Sequence, residues 1–137
     1  MNTLSSGLED YLETIYIAYL NNESLKGAEL ARKMQISRAS VSEALSKLVS
    51  KELILYTSYE LITLTQKGIA EAKKVYEKHH ALKNFFEEVL DIQPDEASEN
   101  ACKIEHIISQ NIIKKMIKLT KIFKTDKMLA TNIKRKL

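Results

Sequence analysis

Apolar residues recur at three- and four-residue intervals along most of the chain, which is the period of a helix with one buried face. Over 8–21 the series Leu8, Tyr11, Leu12, Ile15, Tyr16, Tyr19 marks one such face, and Asn21-Asn22-Glu23-Ser24 breaks it. A short helix is expected over 28–34, with Gly27 as its N-cap and Leu30, Ala31 and Met34 inward. Gln35-Ile36-Ser37 makes a tight connection. Ser37 then caps a third helix over about 38–51, whose buried stripe is Val41, Ala44, Leu45 and Leu48. The period then changes. Leu53-Ile54-Leu55-Tyr56 and Glu60-Leu61-Ile62-Thr63-Leu64 read as two strands about a turn at Thr57-Ser58-Tyr59. Thr65 caps a long helix over about 66–90. Asp91 to Pro94 ends it and opens another, with Pro94 at the first helical position and Asp95 and Glu96 suiting its N-terminal dipole. That helix is expected to run to about Ser109, with one or two more over 111–123 and 126–136.

Composition agrees with this mostly helical reading. In 137 residues there are only 3 Gly and 1 Pro, so few breakers interrupt the pattern. The single cysteine cannot form an intrachain disulfide, which suits a reducing cytoplasm. No secretory signal is legible, and no apolar run approaches a membrane span. The net charge of +3 is less informative than its distribution. Residues 32–51 carry Arg32, Lys33, Arg38, Lys47 and Lys51 against Glu43, and residues 114–136 carry eight lysines and Arg135 against Asp126. The second cluster reads first as a solvated helix face.

Helix, three-residue turn, helix and two-stranded hairpin, in that order, make a winged helix-turn-helix. Small Ala31 lets the two helices cross closely, and Ile36 fills the turn from beneath. The second helix opens on short side chains, Ser37, Arg38, Ala39, Ser40 and Ser42, which let its N-terminal end approach base edges in the major groove. Arg38 can donate bidentately to guanine or to phosphate, while the serine hydroxyls and helix N-terminus suit phosphate oxygens. Lys47 and Lys51, further along, would neutralise backbone, and Ser58 and Tyr59 would sit at the tip of the wing. The fold class expected is mainly α: a winged helix-turn-helix DNA-binding domain over 1–72, with a small two-stranded wing, then a helical domain over 73–137 and no SH3-like domain.

The second half carries different chemistry. Cys102, Glu105 and His106 stand at i, i+3 and i+4, so on a helix a thiol, a carboxylate and an imidazole share one face. Asp10 and Glu13 share a face of the first helix in the same way. His79 and His80 are adjacent on the long helix and diverge by about 100°, so only one of them can face a given site. Sulfur, nitrogen and oxygen donors together suit Mn(II), Fe(II), Co(II) or Zn(II) better than Ca or Mg.

Leu8-Glu9-Asp10-Tyr11-Leu12-Glu13-Thr14-Ile15-Tyr16 resembles the opening of the diphtheria toxin repressor and manganese transport regulator family. Ala101-Cys102-Lys103-Ile104-Glu105-His106 resembles its metal-binding helix, and Lys78-His79 its long-helix histidine. The resemblance covers about residues 7–123. It implies a homodimeric transcriptional repressor of the cytoplasm, activated by Mn(II) or Fe(II), bound to a palindromic double-stranded operator and controlling metal-uptake genes. No membrane and no small-molecule substrate is involved. Carried over by position, the implied ligands are Asp10, Glu13, His79, Cys102, Glu105 and His106. Asp10 resembles the manganese-sensing branch, where iron sensors have methionine. Cys102 resembles the iron-sensing branch, where manganese sensors have glutamate. Lys83 and Ser98 replace residues of the iron sensors' ancillary site.

Two other readings make different demands. A metal-independent winged-helix regulator of a small molecule would hold no stoichiometric metal and tolerate changes at Glu105 and His106. A metallohydrolase using Glu105 as general base would need a nucleophile elbow, a phosphate loop or a His-Glu-x-x-His pattern, and the sequence has none of these.

Overall fold

A computed structural model describes residues 4–57 and 60–137. The chain folds as two compact units, Met1–Lys74 and Val75–Leu137.

The first unit opens with α1 (Ser6–Leu20), capped by the Ser5 hydroxyl, which accepts from the Leu8 amide. α2 (Gly27–Met34) begins one residue earlier than expected. Gly27 is its first helical residue and not its cap, and Lys26 at the cap position supplies no side-chain bond. The glycine serves packing instead, because a Cβ there would stand 3.0 Å from the Tyr56 hydroxyl. Gln35 takes a left-handed conformation, φ 56°, which ends α2 and turns the Ile36 amide back to the Ala31 carbonyl at 3.1 Å. α3 (Arg38–Ser50) follows with Ser37 as its cap, as the sequence predicts, and Val41, Ala44, Leu45 and Leu48 are all buried. Leu12 and Ile15 of α1, Leu30 of α2 and Ile54 are buried as well, and α3 packs against both α1 and α2.

The hairpin is shorter than the apolar runs suggest. β1 (Ile54–Leu55) pairs antiparallel with β2 (Thr63–Leu64), Ile54 opposite Leu64 and Leu55 opposite Thr63. The flanking residues are engaged elsewhere. The Leu53 amide still bonds to Leu48 O as α3 closes, and the Ile62 amide bonds to Leu25 O at 2.8 Å. Thr65 then caps α4 (Gln66–Glu88), its hydroxyl accepting from the Gly68 amide at 3.0 Å.

The second unit holds α4 from Val75 onward, α5 (Pro94–Ile104), α6 (Gln110–Thr125) and α7 (Lys127–Lys134). Asp91, at φ 58°, turns the chain after α4, and Pro94 opens α5 as expected. α5 stops at Ile104, about five residues short of the expected end. The Ile107 and Ile108 amides both turn onto Ile104 O, at 3.0 and 3.1 Å, and Ser109 caps a new helix. Asp126 caps α7 through the Leu129 amide. Leu82, Ala101 and Ile113 form one core with Phe86, Ile104, Ile108 and Met116 against it, while Val89, Phe123 and Ala130 form another with Phe85 and Ile133. The apolar residues over 85–123 are divided: many pack within the unit, and Ile107 (83% exposed), Ile112 and Leu119 face outward. No described helix is long and apolar enough to cross a membrane.

Candidate metal centre and DNA-reading helix

In the first unit, Ser37 Oγ accepts from the Ser40 amide at 3.1 Å and donates to Ser40 Oγ at 2.9 Å. This fixes the first turn of α3 in an open, polar form. Arg38, Ala39, Ser40 and Ser42 are all exposed there, so the short side chains of the sequence motif do line an accessible helix end. Lys47 is also exposed and pairs with Glu43 at 3.2 Å. A surface pair of this kind is worth little and can exchange for a phosphate. Ser58 and Tyr59 lie outside the described residues. Asp10 and Glu13 stand on α1, with Asp10 exposed and Glu13 half-buried.

The second unit brings together His79, Cys102, Glu105 and His106. Glu105 follows the last residue of α5, keeps helical dihedrals and bonds its amide to Ala101 O at 2.9 Å. The i, i+3 relation to Cys102 thus survives although the helix has ended. The Glu105 side chain is only 1% exposed. Its Oε2 lies 2.8 Å from His79 Nδ1 and its Oε1 lies 3.5 Å from His106 Nε2. Cys102 Sγ is 3.7 Å from the same His79 nitrogen. One donor atom each from His79, Cys102 and Glu105 falls within 4.8 Å of the other two.

A buried carboxylate is costly unless it is paired. Two imidazoles and a thiol around it match a transition metal, whose bonds of about 2.0–2.3 Å to such atoms hold donors within roughly 4 Å of one another. The His79, Cys102 and Glu105 donors, all within 4.8 Å of one another, therefore fit a divalent transition metal. His79, not His80, faces this cluster. The His80 ring packs on Tyr76 with centroids 4.3 Å apart. Burial first, and then the neighbouring His79 and Lys83, hold its imidazole below the ordinary value against the opposing pull of Glu105. Lys83 pairs with Glu87 at 3.2 Å.

One residue carries no legible signal of its own in the sequence. Lys78 sends its Nζ to the Ile108 carbonyl at 3.0 Å, pinning α4 to the turn that carries Glu105 and His106. A lysine beside a histidine on an amphipathic helix reads as surface, and nothing in its spacing points to a carbonyl thirty residues away.

A winged helix-turn-helix unit joined in one chain to a helical unit with an S, N and O donor set around a buried carboxylate defines a metal-responsive transcription regulator. Residues 3–61 match the family model described as iron dependent repressor, N-terminal DNA binding domain, and residues 65–131 match that family's metal binding and dimerisation domain. The chain belongs to the iron dependent repressor family. It is a metal-dependent, DNA-binding transcriptional repressor with a dimerisation domain. An uncharacterised helix-turn-helix transcriptional regulator of Methanocaldococcus jannaschii is 41% identical over 114 residues, 82% of this chain and 91% of that protein. The transcriptional regulator MntR of Listeria monocytogenes is 27% identical over 132 residues, 91% of this chain and 92% of that protein. Among solved structures, the manganese regulator SloR superposes with a TM-score of 0.73 at 32% identity, covering 83% of this chain and 53% of SloR. The chain thus spans about half the length of that structure.

Proposed function

We propose that this repressor is switched by Mn(II) or Fe(II), held by His79, Cys102, Glu105 and His106 together with Asp10 and Glu13 from α1. It acts as a regulator and not as a catalyst, in the cytoplasm where the chromosome lies, and controls metal-uptake genes. The observation that carries this reading is the Glu105 carboxylate, 1% exposed and flanked by His79 and His106. The i, i+3 spacing of Asp10 and Glu13 on α1 supports the remaining two ligands. The iron-dependent repressor IdeR of Mycobacterium leprae, 29% identical over 119 residues, and the manganese regulator SloR support the choice of metals.

When bound, the divalent cation supplies positive charge and a common centre for these ligands. Three carboxylates, Asp10, Glu13 and Glu105, repel one another when gathered without a cation. α1 packs against α3, so restraining Asp10 and Glu13 restrains the reading helix as well. In a dimer, a palindromic site requires two reading helices about 34–36 Å apart. Ligands that close only in that arrangement shift the population toward it.

Anaerobic calorimetric titration with Mn(II) and Fe(II) tests the ligand set. Stoichiometric binding is expected, weakened by change at any of the six ligands, and Co(II) substitution should give a thiolate charge-transfer band that Cys102→Ser removes. No stoichiometric binding would refute the site. In the first unit, Arg38→Ala should cost about 1–3 kcal/mol of operator affinity and relax the preference at one base pair. Selection of bound sequences from a random pool, parent against variant, reads this directly. A uniform loss across all sequences would place Arg38 on phosphate only.

A further inference from the structure

We infer that the outward face of α6, continued into α7, is a second nucleic-acid surface that holds the phosphate backbone of duplex DNA without reading bases. Lys114, Lys118 and Lys121 stand at i, i+4 and i+7, so they form one stripe, and all three are exposed. Lys124 and Lys127 extend the exposed charge. α6 contains no acidic residue. Several helix lysines elsewhere are paired with a carboxylate: Lys33 with Glu23, Lys47 with Glu43, Lys83 with Glu87 and Lys103 with Glu99, all at 2.9–3.2 Å. Among the described residues the α6 lysines have no such carboxylate. Asp126, the one acid in residues 110–136, is occupied in capping α7.

Like charges at this spacing work against the helix that carries them, so the stripe opposes local stability. Its geometry matches a polyanion. Lys114 to Lys121 spans about 10 Å at 1.5 Å per residue, and a DNA strand carries about three phosphates over that length at roughly 3.4 Å each. A lipid surface fits less well. An interfacial helix buries its apolar face in the membrane opposite its cations, but here the positions opposite the lysines, Ile113, Thr120 and Phe123, are buried within the unit, and the exposed apolar residues Ile112, Ile117, Leu119 and Ile122 lie beside the stripe instead.

The test is binding of the full chain to a random-sequence duplex in EDTA across a salt series, which removes both the metal switch and operator recognition. For K114Q/K118Q/K121Q the slope of log affinity against log salt should be shallower by about 2.7, that is 0.9 for each phosphate contact. Between 50 and 200 mM salt the parent should then lose about 40-fold more affinity than the variant. The corresponding arginine triple variant should keep the parental slope. An unchanged slope in the folded glutamine variant overturns the inference, as does loss of slope in the arginine variant. Loss of binding to phosphatidylserine vesicles, with the DNA slope unchanged, would assign the stripe to lipid and overturn it too. Because the assay holds no metal, its failure leaves the proposed ligand set untouched.

Discussion

Glu105→Ala should abolish metal-dependent DNA binding and weaken metal affinity by more than about 100-fold, since loss of a mere outer-shell partner already costs 10–100-fold. The carboxylate is the centre of the cluster. It lies 2.8 Å from His79 Nδ1 and 3.5 Å from His106 Nε2, and it is 1% exposed. Without it the two imidazoles lose the anion that orients them, and the site keeps no buried negative charge to offset a dication. The metal-free fold should survive. Removing one partner of a buried hydrogen bond costs about 1–3 kcal/mol, less than the roughly 5–15 kcal/mol that holds a typical domain folded. Glu105→Gln separates charge from shape: it retains the volume and should lose metal affinity almost as fully. Calorimetric metal titration with far-ultraviolet circular dichroism checks both parts. Metal affinity within a few fold of the parent in Glu105→Ala would remove Glu105 from the ligand set.

Gly68→Ala should destabilise the first unit by about 3 kcal/mol or more, in the range reserved for strongly overpacked or strained sites. A Cβ at Gly68 would stand 1.9 Å from the Leu53 carbonyl oxygen and 2.9 Å from its carbon. Both are backbone atoms, so no side-chain rotation relieves the clash. They are also committed: the Thr65 amide bonds to Leu53 O at 3.0 Å, Thr65 Oγ1 donates to Glu52 O at 2.7 Å, and the Gly68 amide donates to Thr65 Oγ1 at 3.0 Å. Moving α4 outward to make room would break this exit from the wing. For a unit of this size the melting temperature should fall on the order of 15 °C, with DNA binding lost in parallel. Thermal denaturation checks it, and a shift of only a degree or two would show that the backbone yields there at little cost.

The reading helix is the most legible part of the chain. Val41, Ala44, Leu45 and Leu48 fall on a clean helical period, and Ser37 is a strong cap placed just before them, so local propensity and burial agree. The strands are shorter than their apolar runs because alternation reports burial and not pairing: Leu53 and Ile62 are buried, but their amides bond to Leu48 and Leu25. The end of α5 is invisible in the sequence because Glu105-His106-Ile107-Ile108 contains no breaker, and the helix stops where Ile104 O takes two amides. The motif Leu64-Thr65-Gln66-Lys67-Gly68 is visible as a pattern, but the close approach of Leu53 that demands the glycine is a tertiary fact. At the candidate metal centre, residue types and the i, i+3 spacing single out Cys102 and Glu105. The choice of His79 over His80 requires the rotation of α4, which places one ring on the cluster and the other on Tyr76. The apolar residues over 85–123 cannot be divided between core and surface from the sequence, because a helical core and a dimer face demand the same residue types.

The decisive measurement is the affinity of the full chain for an operator fragment, selected from a random pool in the presence of Mn(II), compared between Mn(II) or Fe(II) and EDTA in a gel-shift titration. Tight binding with either metal, lost in EDTA and absent from Glu105→Ala under all conditions, is the expected result. Equal binding with metal and in EDTA would contradict the coupling of the Glu105 site to DNA recognition.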